Sequence, residues 1–213
     1  MNALAVIHED ADLLVLDKPA GLLCVPGRGE DKQDCLSARA QLRWPDALVV
    51  HRLDMATSGL VLMARNPAMQ RALGDAFAGR RVRKRYEAIV DGLLPVSDAW
   101  SLIDAPLIAD WPNRPLQKID ARNGKPSSTR WRVKRLLTER HASHLWLEPL
   151  TGRSHQLRVH LLSIGHPILG DALYGSAEVQ RRADRLLLHA SELEFAHPAD
   201  GRVMRFESAP PFV

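Results

Sequence analysis

Two short apolar runs, residues 3–8 and 13–17, flank the acidic stretch Glu9-Asp10-Ala11-Asp12, a pattern that predicts a strand pair joined by a turn. Lys18-Pro19-Ala20-Gly21 breaks the second strand, 22–25 resumes as an extended segment, and Pro26-Gly27-Arg28-Gly29 reads as a loop. Residues 35–44 have a helical pattern that Pro45 stops. The β-rich runs 48–50 and 59–63 bracket a polar stretch, His51-Arg52-Leu53-Asp54-Met55-Ala56-Thr57-Ser58. Asn66-Pro67 offers an N-cap followed by a first-turn proline, so a helix is predicted from there to about Ala78, with Gly79 as its stop. A strand follows at 86–90, and Trp111-Pro112-Asn113-Arg114-Pro115 reads as an irregular loop.

The second half continues in the same manner. Residues 116–120 and 128–137 look like two strands of one hairpin around Asn123-Gly124, and 144–147 keeps the β character. Thr151-Gly152-Arg153-Ser154 is expected to open a helix whose apolar positions Leu157, Leu161 and Ile164 fall at i, i+4 and i+7, ended by Gly165. Runs 185–189, 192–195 and 203–206 supply the last strands. Strands dominate and several neighbours read as hairpins, so the expected class is α+β with a largely antiparallel sheet. No repeat, low-complexity tract or linker divides residues 1–213, which are read as one unit.

Composition narrows the picture. With 46% hydrophobic and 25% charged residues over 213 positions, the chain has the make-up of an ordinary globular protein with ample length for a core. No apolar run approaches the roughly 20 residues of a membrane helix, and the N-terminus lacks the basic and apolar regions of a signal peptide. A cytoplasmic protein without a membrane partner is expected. Cys24 and Cys35 are too few for a disulfide framework and too far apart for C-x-x-C, so they are read as small buried hydrophobes. The formal charge of +4 only hints at an anionic partner, but its distribution says more. Arg80, Arg81, Arg83, Lys84 and Arg85 fall within six residues, and Arg130, Arg132, Lys134 and Arg135 form a second cluster. Such clusters are either solvated faces or a phosphate-binding surface for nucleic acid.

Several chemistries find no motif. There is no phosphate-binding G-x-x-x-x-G-K-[ST] loop, no G-x-G-x-x-G, no H-E-x-x-H and no zinc-deaminase pattern. The nine histidines do not fall at metal-ligand spacings, so no metal is expected. Ser58 and Ser154 lack the glycines of a nucleophile elbow. What remains is the segment 51–58, where His, Arg, Asp, Thr and Ser crowd between two strands. Such groups are costly to bury without partners and so suggest an active-site wall, although Asp54 and Thr57 could equally make a local turn.

The segment HRLDMATSGLVLMAR (51–65) resembles the signature of the RluA-type pseudouridine synthases. LDKPAGLLCVPGR (16–28), RKRYEAIVDG (83–92), LTGRSHQLRVHLLSIGHPILGD (150–171) and RLLLHA (185–190) resemble further motifs of that family in the same order, across nearly the whole chain. The resemblance implies the pseudouridine-synthase catalytic fold, with flanking helices on a mixed, largely antiparallel central sheet and an active-site cleft between two sub-domains. It also implies one catalytic domain without the small S4-type RNA-binding module of many relatives. DWPNRPLQK (110–118), SHQLRVH and HPILGD are similar to members that modify both an rRNA and a tRNA. The implied targets are a uridine in a 23S rRNA hairpin (position 746) and the uridine at position 32 of tRNA anticodon loops.

By the same resemblance Asp54 is the catalytic carboxylate, kept ionised in its pocket by Arg153, and Tyr86 stacks on the uracil and helps remove the C5 proton. Arg52 enters the gap left by the flipped nucleotide, Leu188 is a pocket wall, and Thr57 joins the substrate-binding side by shaping the loop. Arg80, Arg81, Arg83, Lys84 and Arg85 are the expected phosphate contacts. The reaction conserves every atom, so no cofactor is expected, and a monomer is the default for a small RNA-modifying enzyme. Two other readings stay open at this point. One is a base-removing glycosidase using Asp54, which would ordinarily need a second carboxylate. The other is a non-catalytic RNA-binding module.

Overall fold

A computed structural model describes residues 4–213. In chain order its elements are β1 (Ala5–Glu9), β2 (Leu13–Lys18), α1 (Leu36–Arg43), β3 (Leu48–Val49), β4 (Ser58–Ala64) and α2 (Pro67–Ala78). There follow β5 (Arg83–Asp91), β6 (Ser101–Asp104), β7 (Leu107–Ala109), β8 (Gln117–Ile119), β9 (Ser128–Leu137) and β10 (Ala142–Pro149). The last are α3 (Gln156–Ser163), α4 (Ala177–Arg181), β11 (Leu188–Ala196) and β12 (Val203–Glu207). The chain forms two compact units: one runs to Lys84 and includes Ala190–Pro211 and Val213, and the other is Arg85–His189 with Phe212. The polypeptide passes from the first to the second inside β5 and returns inside β11.

In the first unit β1 pairs with β2, β2 with β4, β3 with β4 and β11 with β12, all antiparallel. Leu13–Leu16 of β2 and the whole of β4 are buried, which is why both read as continuous apolar runs rather than alternating ones. Met69, Leu73 and Ala76 of α2, at i, i+4 and i+7, close the core over Leu60, Leu62, Leu193 and Phe195. The helix has the predicted boundaries because Asn66 Oδ1 accepts the Met69 N–H at 2.8 Å and Pro67 occupies the first turn. The helix predicted at 35–44 also forms, with Cys35 as its N-cap and Trp44 as its C-cap. The opening strand pair forms as well, and its residue Ala3 lies outside the described residues.

In the second unit the strand order is β5-β10-β9-β6, again antiparallel, beside a separate β7–β8 hairpin. Here the structure corrects the sequence reading. Residues 116–120 and 128–137 are not partners: β8 pairs with β7, and β9 pairs with β10 and β6. The Asn123-Gly124 turn does form, since Asp120 Oδ1 accepts the N–H groups of Arg122 and Asn123. Lys125 then bridges back to Leu107, and the Ala105 N–H donates to Ser127 O, so the chain stays paired with the 104–107 stretch as it enters β9. Residues 22–25 make only one bridge, Leu23 to Cys35, instead of a strand. The runs 185–189 and 192–195 resolve into the single strand β11 preceded by irregular chain. The helix expected from Thr151 begins later, at Gln156, because His155 takes a left-handed conformation at its N-cap.

One glycine of the 51–65 signature has a backbone reason to be glycine. Gly59 in β4 has φ +111°, and a Cβ there would stand 2.3 Å from the Ala190 carbonyl oxygen and 2.6 Å from its nitrogen. Neither backbone atom can move aside without breaking the sheet. Gly59→Ala is therefore expected to lower stability by about 3 kcal/mol or more, measured by urea unfolding. A variant as stable as wild type would show that β4 and β11 do not approach so closely.

Candidate active site

The polar loop between β3 and β4 is fastened at almost every residue. His51, at its start, accepts the Leu62 N–H on Nε2 at 2.9 Å and stacks on Phe77 with ring centroids 4.5 Å apart. Burial, with a smaller contribution from the Lys84 charge, pushes its pKa down to about 3, so the imidazole is neutral and can accept that bond. Arg52 is exposed, Leu53 is buried, and the Leu53 N–H donates to the Cys24 thiol at 3.1 Å. Burial raises the Cys24 pKa, which keeps the sulfur a thiol. Asp54 is half-buried, and its carbonyl accepts the Thr57 N–H at 3.1 Å, closing a turn around Met55 and Ala56. Thr57 is buried beneath that turn.

Beneath the turn lies a residue that sequence reasoning missed. Lys18, wholly buried, donates from Nζ to the carbonyls of Pro19 (2.8 Å), Leu22 (2.7 Å) and Met55 (3.1 Å). The Met55 carbonyl also receives the Gly21 N–H at 2.8 Å. The signal was present in the motif LDKPAG, a lysine ending an apolar strand, but one of its carbonyl partners, Met55, lies 37 residues away in the chain. The ammonium's donors are met by these carbonyls, and matched donors are the condition for burying it. It holds the loop after β2 to the Asp54 turn and places a positive charge near the carboxylate-bearing loop.

Of the first basic cluster, Arg80, Arg81 and Arg83 are exposed on this unit. Lys84 is half-buried with its ammonium 5.9 Å from the Phe77 ring centre, and desolvation lowers its pKa. Arg85 belongs to the second unit, where it pairs with Glu148 at 3.0 Å.

In that second unit Tyr86 sits on β5 opposite Leu147, half-buried, on the sheet face away from Arg85 and Glu87. Leu188 is buried at the start of β11. Arg153 is exposed, in a loop built around a second unforeseen residue, Gln156. The Gln156 Oε1 accepts from the Thr151 hydroxyl (2.7 Å) and the Arg153 N–H (3.0 Å), while Nε2 donates to Ser128 O and Thr129 Oγ1, both at 3.0 Å. One carboxamide thus fixes the Arg153 loop to β9. The helix expected to open around Arg153 starts three residues later, at Gln156. Arg153 Nε is directed to the Pro126 carbonyl at 3.4 Å.

Two further contacts stiffen this region. Arg158 and Asp171, both buried, form a bidentate pair at 2.8 and 2.6 Å, and Asp171 also accepts the N–H groups of Leu173 and Tyr174. The Tyr174 hydroxyl accepts the Gln117 N–H at 2.8 Å and lies 2.7 Å from His155 Nδ1. The second basic cluster is a different kind of surface from the first. Arg130, Arg132 and Lys134 alternate along β9 and so share a face with Trp146, Glu148 and Glu87. Arg132 lies 5.3 and 4.8 Å from the ring centres of Trp100 and Trp146, and Lys134 Nζ lies 2.8 Å from Glu87. Burial of Glu87 opposes its ionisation, but hydrogen bonds from His144 and Lys134 bring its pKa below the ordinary range. Among the described residues no three His, Cys, Asp or Glu side chains gather as a metal site, and no helix is long and apolar enough to cross a membrane.

These elements are those of a base-modifying RNA enzyme, and comparison with known proteins agrees. The family model for RNA pseudouridylate synthase matches residues 12–163. The chain is 47% identical over 209 residues to the dual-specificity RNA pseudouridine synthase RluA of Escherichia coli (strain K12), spanning 98% of this chain and 94% of that one. It is 47% identical over 204 residues to the protein of the same name from Salmonella typhi, spanning 96% and 92%. Among solved structures, human RNA pseudouridylate synthase domain containing 1 superposes with a TM-score of 0.81 at 30% identity, over 99% of this chain and 85% of that one. The chain belongs to the RNA pseudouridylate synthase family and is an isomerase that acts on RNA.

The neutral state of His51 has a measurable consequence. Its folded pKa lies below the ordinary 6.5, so between that pH and about 3 the unfolded chain binds a proton that the folded chain refuses. The resulting loss of stability is absent above this window and grows as pH falls through it. From pH 8 to pH 5 wild type is expected to lose about 2 kcal/mol more stability than His51→Gln, by urea unfolding of both. Equal losses would show that this imidazole titrates normally in the fold.

Proposed function

We propose that this protein converts uridine to pseudouridine in stem-loop RNA with Asp54 as the catalytic carboxylate, and that its targets include both a ribosomal and a transfer RNA. The observation that carries the reading is the Asp54 turn itself, fixed by Lys18, Cys24 and Gly21 before any substrate arrives, as a pre-organised catalytic group requires. The two-target reading is supported by the similarity to the dual-specificity RluA enzymes. The reaction breaks N1–C1′, turns the uracil, joins C5 to C1′ and moves the C5 proton onto the base, with no atom gained or lost. An ionised carboxylate serves it either by attacking the nucleotide or by abstracting a proton, and Arg153 is the guanidinium proposed to keep it ionised.

The remaining roles follow from residue chemistry. Tyr86 offers a ring to stack on the detached uracil and a hydroxyl to take the C5 proton, with Leu188 as an apolar wall. Exposed Arg52 is suited to enter the stack when the nucleotide flips out, while Thr57 holds the turn from beneath. Arg80, Arg81 and Arg83 are the proposed phosphate contacts; Lys84 and Arg85 have partners inside the protein and support them. The two units act as one catalytic domain, in a monomer needing no metal or cofactor. Its free, buried cysteines suit the reducing cytoplasm where such RNAs are found.

Asp54→Asn should bind stem-loop RNA as wild type does and form no pseudouridine, checked by mapping pseudouridine in rRNA and tRNA incubated with each protein. Retained isomerisation would remove Asp54 from the mechanism, and release of free uracil by wild type would make the protein a glycosidase. Changing Arg80, Arg81 and Arg83 together to Ala should lower the slope of log affinity against log salt by about 2–3 and leave the single-turnover rate on saturating RNA unchanged. An unaltered slope would place the phosphate contacts elsewhere.

A further inference from the structure

The segment DWPNRP (110–115) is used by no step of the reaction. It spans the link between β7 and β8, where Trp111 is 65% exposed, a large apolar side chain left in water. The loop that carries it is stiff. Its ends close through Asp110 N–H to Leu116 O at 2.9 Å, and Asn113 N–H and Leu116 N–H bond inward to Asp110 O and Asn113 O. Asn113 Nδ2 reaches Asp110 Oδ2 at 2.9 Å, and Lys118 adds an ion pair to the same carboxylate at 3.4 Å. Arg114 lies over the indole, its guanidinium carbon 4.2 Å from the ring centre.

The charge around the indole favours an anionic partner. Both nearby carboxylates are engaged within their own turns, Asp110 with Asn113 and Lys118, and Asp120 with the N–H groups of Arg122 and Asn123. Arg114, Arg122 and Lys125 are left facing solvent, and Lys118 is exposed beside Asp110. The hairpin is also tied to the loop of Arg153. The Tyr174 hydroxyl joins Gln117, at the start of β8, to His155, two residues past Arg153, and Arg153 Nε reaches Pro126 next to the Lys125–Leu107 bridge. An object that meets Arg153 therefore meets a body on which Trp111 and Arg114 are rigidly mounted.

We infer that Trp111 and Arg114 form a stacking subsite for an unpaired base of the substrate RNA, distinct from the uridine that is isomerised. An indole accepts any base on its face, and an adjacent guanidinium adds attraction both to the base and to its phosphate. The subsite rests on the reading of Arg153 as part of the RNA-modifying site. It gives the enzyme a second grip on a loop nucleotide, and with it a means of favouring RNAs that present an unpaired base at the right distance.

The test uses the full chain with anticodon stem-loop RNAs carrying 2-aminopurine, in turn, at each unpaired loop position other than the target. Wild type and Trp111→Phe should quench the fluorescence at one position, and Trp111→Ala should not. Trp111→Ala should also weaken binding by about 5- to 100-fold, with the single-turnover rate at saturating RNA nearly unchanged. Arg114→Gln should weaken binding less and reduce the salt dependence. The indole is exposed, so these variants should unfold at the wild-type temperature. Unchanged affinity with the same quenching in Trp111→Ala overturns the subsite, and assigns the exposed indole to a protein partner if the variant instead loses a protein contact. A wild type that forms no pseudouridine in any stem-loop is a separate result, the failure of the functional reading itself.

Discussion

A buried ammonium organises the loop that carries Asp54. Lys18 stands in the interior of the first unit, where a charge is tolerated only if its donors are matched, and the matching acceptors are carbonyls of the two segments that must stay together. One carbonyl belongs to Met55, next to Asp54. The loop is therefore positioned through its backbone, and the Asp54 side chain is left half-accessible. Cys24 and His51 act in the same manner. A thiol accepts the Leu53 N–H, and a neutral imidazole accepts the Leu62 N–H, so side chains that could carry chemistry serve as acceptors for main chain.

The second unit solves the same problem with a neutral hub. Gln156 uses both ends of one carboxamide to bind the Arg153 loop to β9, and the Arg158–Asp171 pair fixes the turn that carries Tyr174. Both arrangements are fully hydrogen-bonded and nearly inaccessible to water, where such bonds are strong and a missing partner is costly. Asp54 and Arg153, both proposed to act on the RNA, sit in loops that these networks hold in place while their own side chains keep access to solvent. This division explains why the long motif at 150–171 contains so many polar residues and yet so few at the surface.

The positive charge is unevenly available. The β9 cluster counts as cationic in the sequence, but Lys134 is paired with Glu87, Arg130 stands 3.7 Å from Glu148, and Arg132 lies between two indoles. Cations turned toward solvent, where a phosphate backbone can reach them, include those at the end of α2 and around the β7–β8 hairpin, and in β9 Arg135. Counting charges along the chain overstates a surface that strand alternation folds against its own carboxylates.

Much of the fold is legible in local pattern. The helix at 67–78 is determined by its own cap, proline and apolar spacing, and the strands β2 and β4 by continuous apolar runs too short for helices. The segment around Asp54 stood out because a density of polar groups between two strands is a property of neighbouring residues, while composition alone fitted a local turn equally well and the proposed role came from family resemblance. The hairpin at 116–137 and the helix start at 151 were misplaced because partner choice and a left-handed residue depend on distant atoms: β7 captured β8, and Gln156 drew Thr151 and Arg153 to its side chain. A lysine ending an apolar strand was visible at position 18, but its partners, like those of Gln156, were not, for the same reason. The chain by itself determined which segments form regular structure and where polar groups crowd between two strands, because these follow from short-range pattern. Tertiary structure alone decided which cations face solvent and which buried polar groups hold the reactive loops, because hydrogen-bond partners are chosen in space.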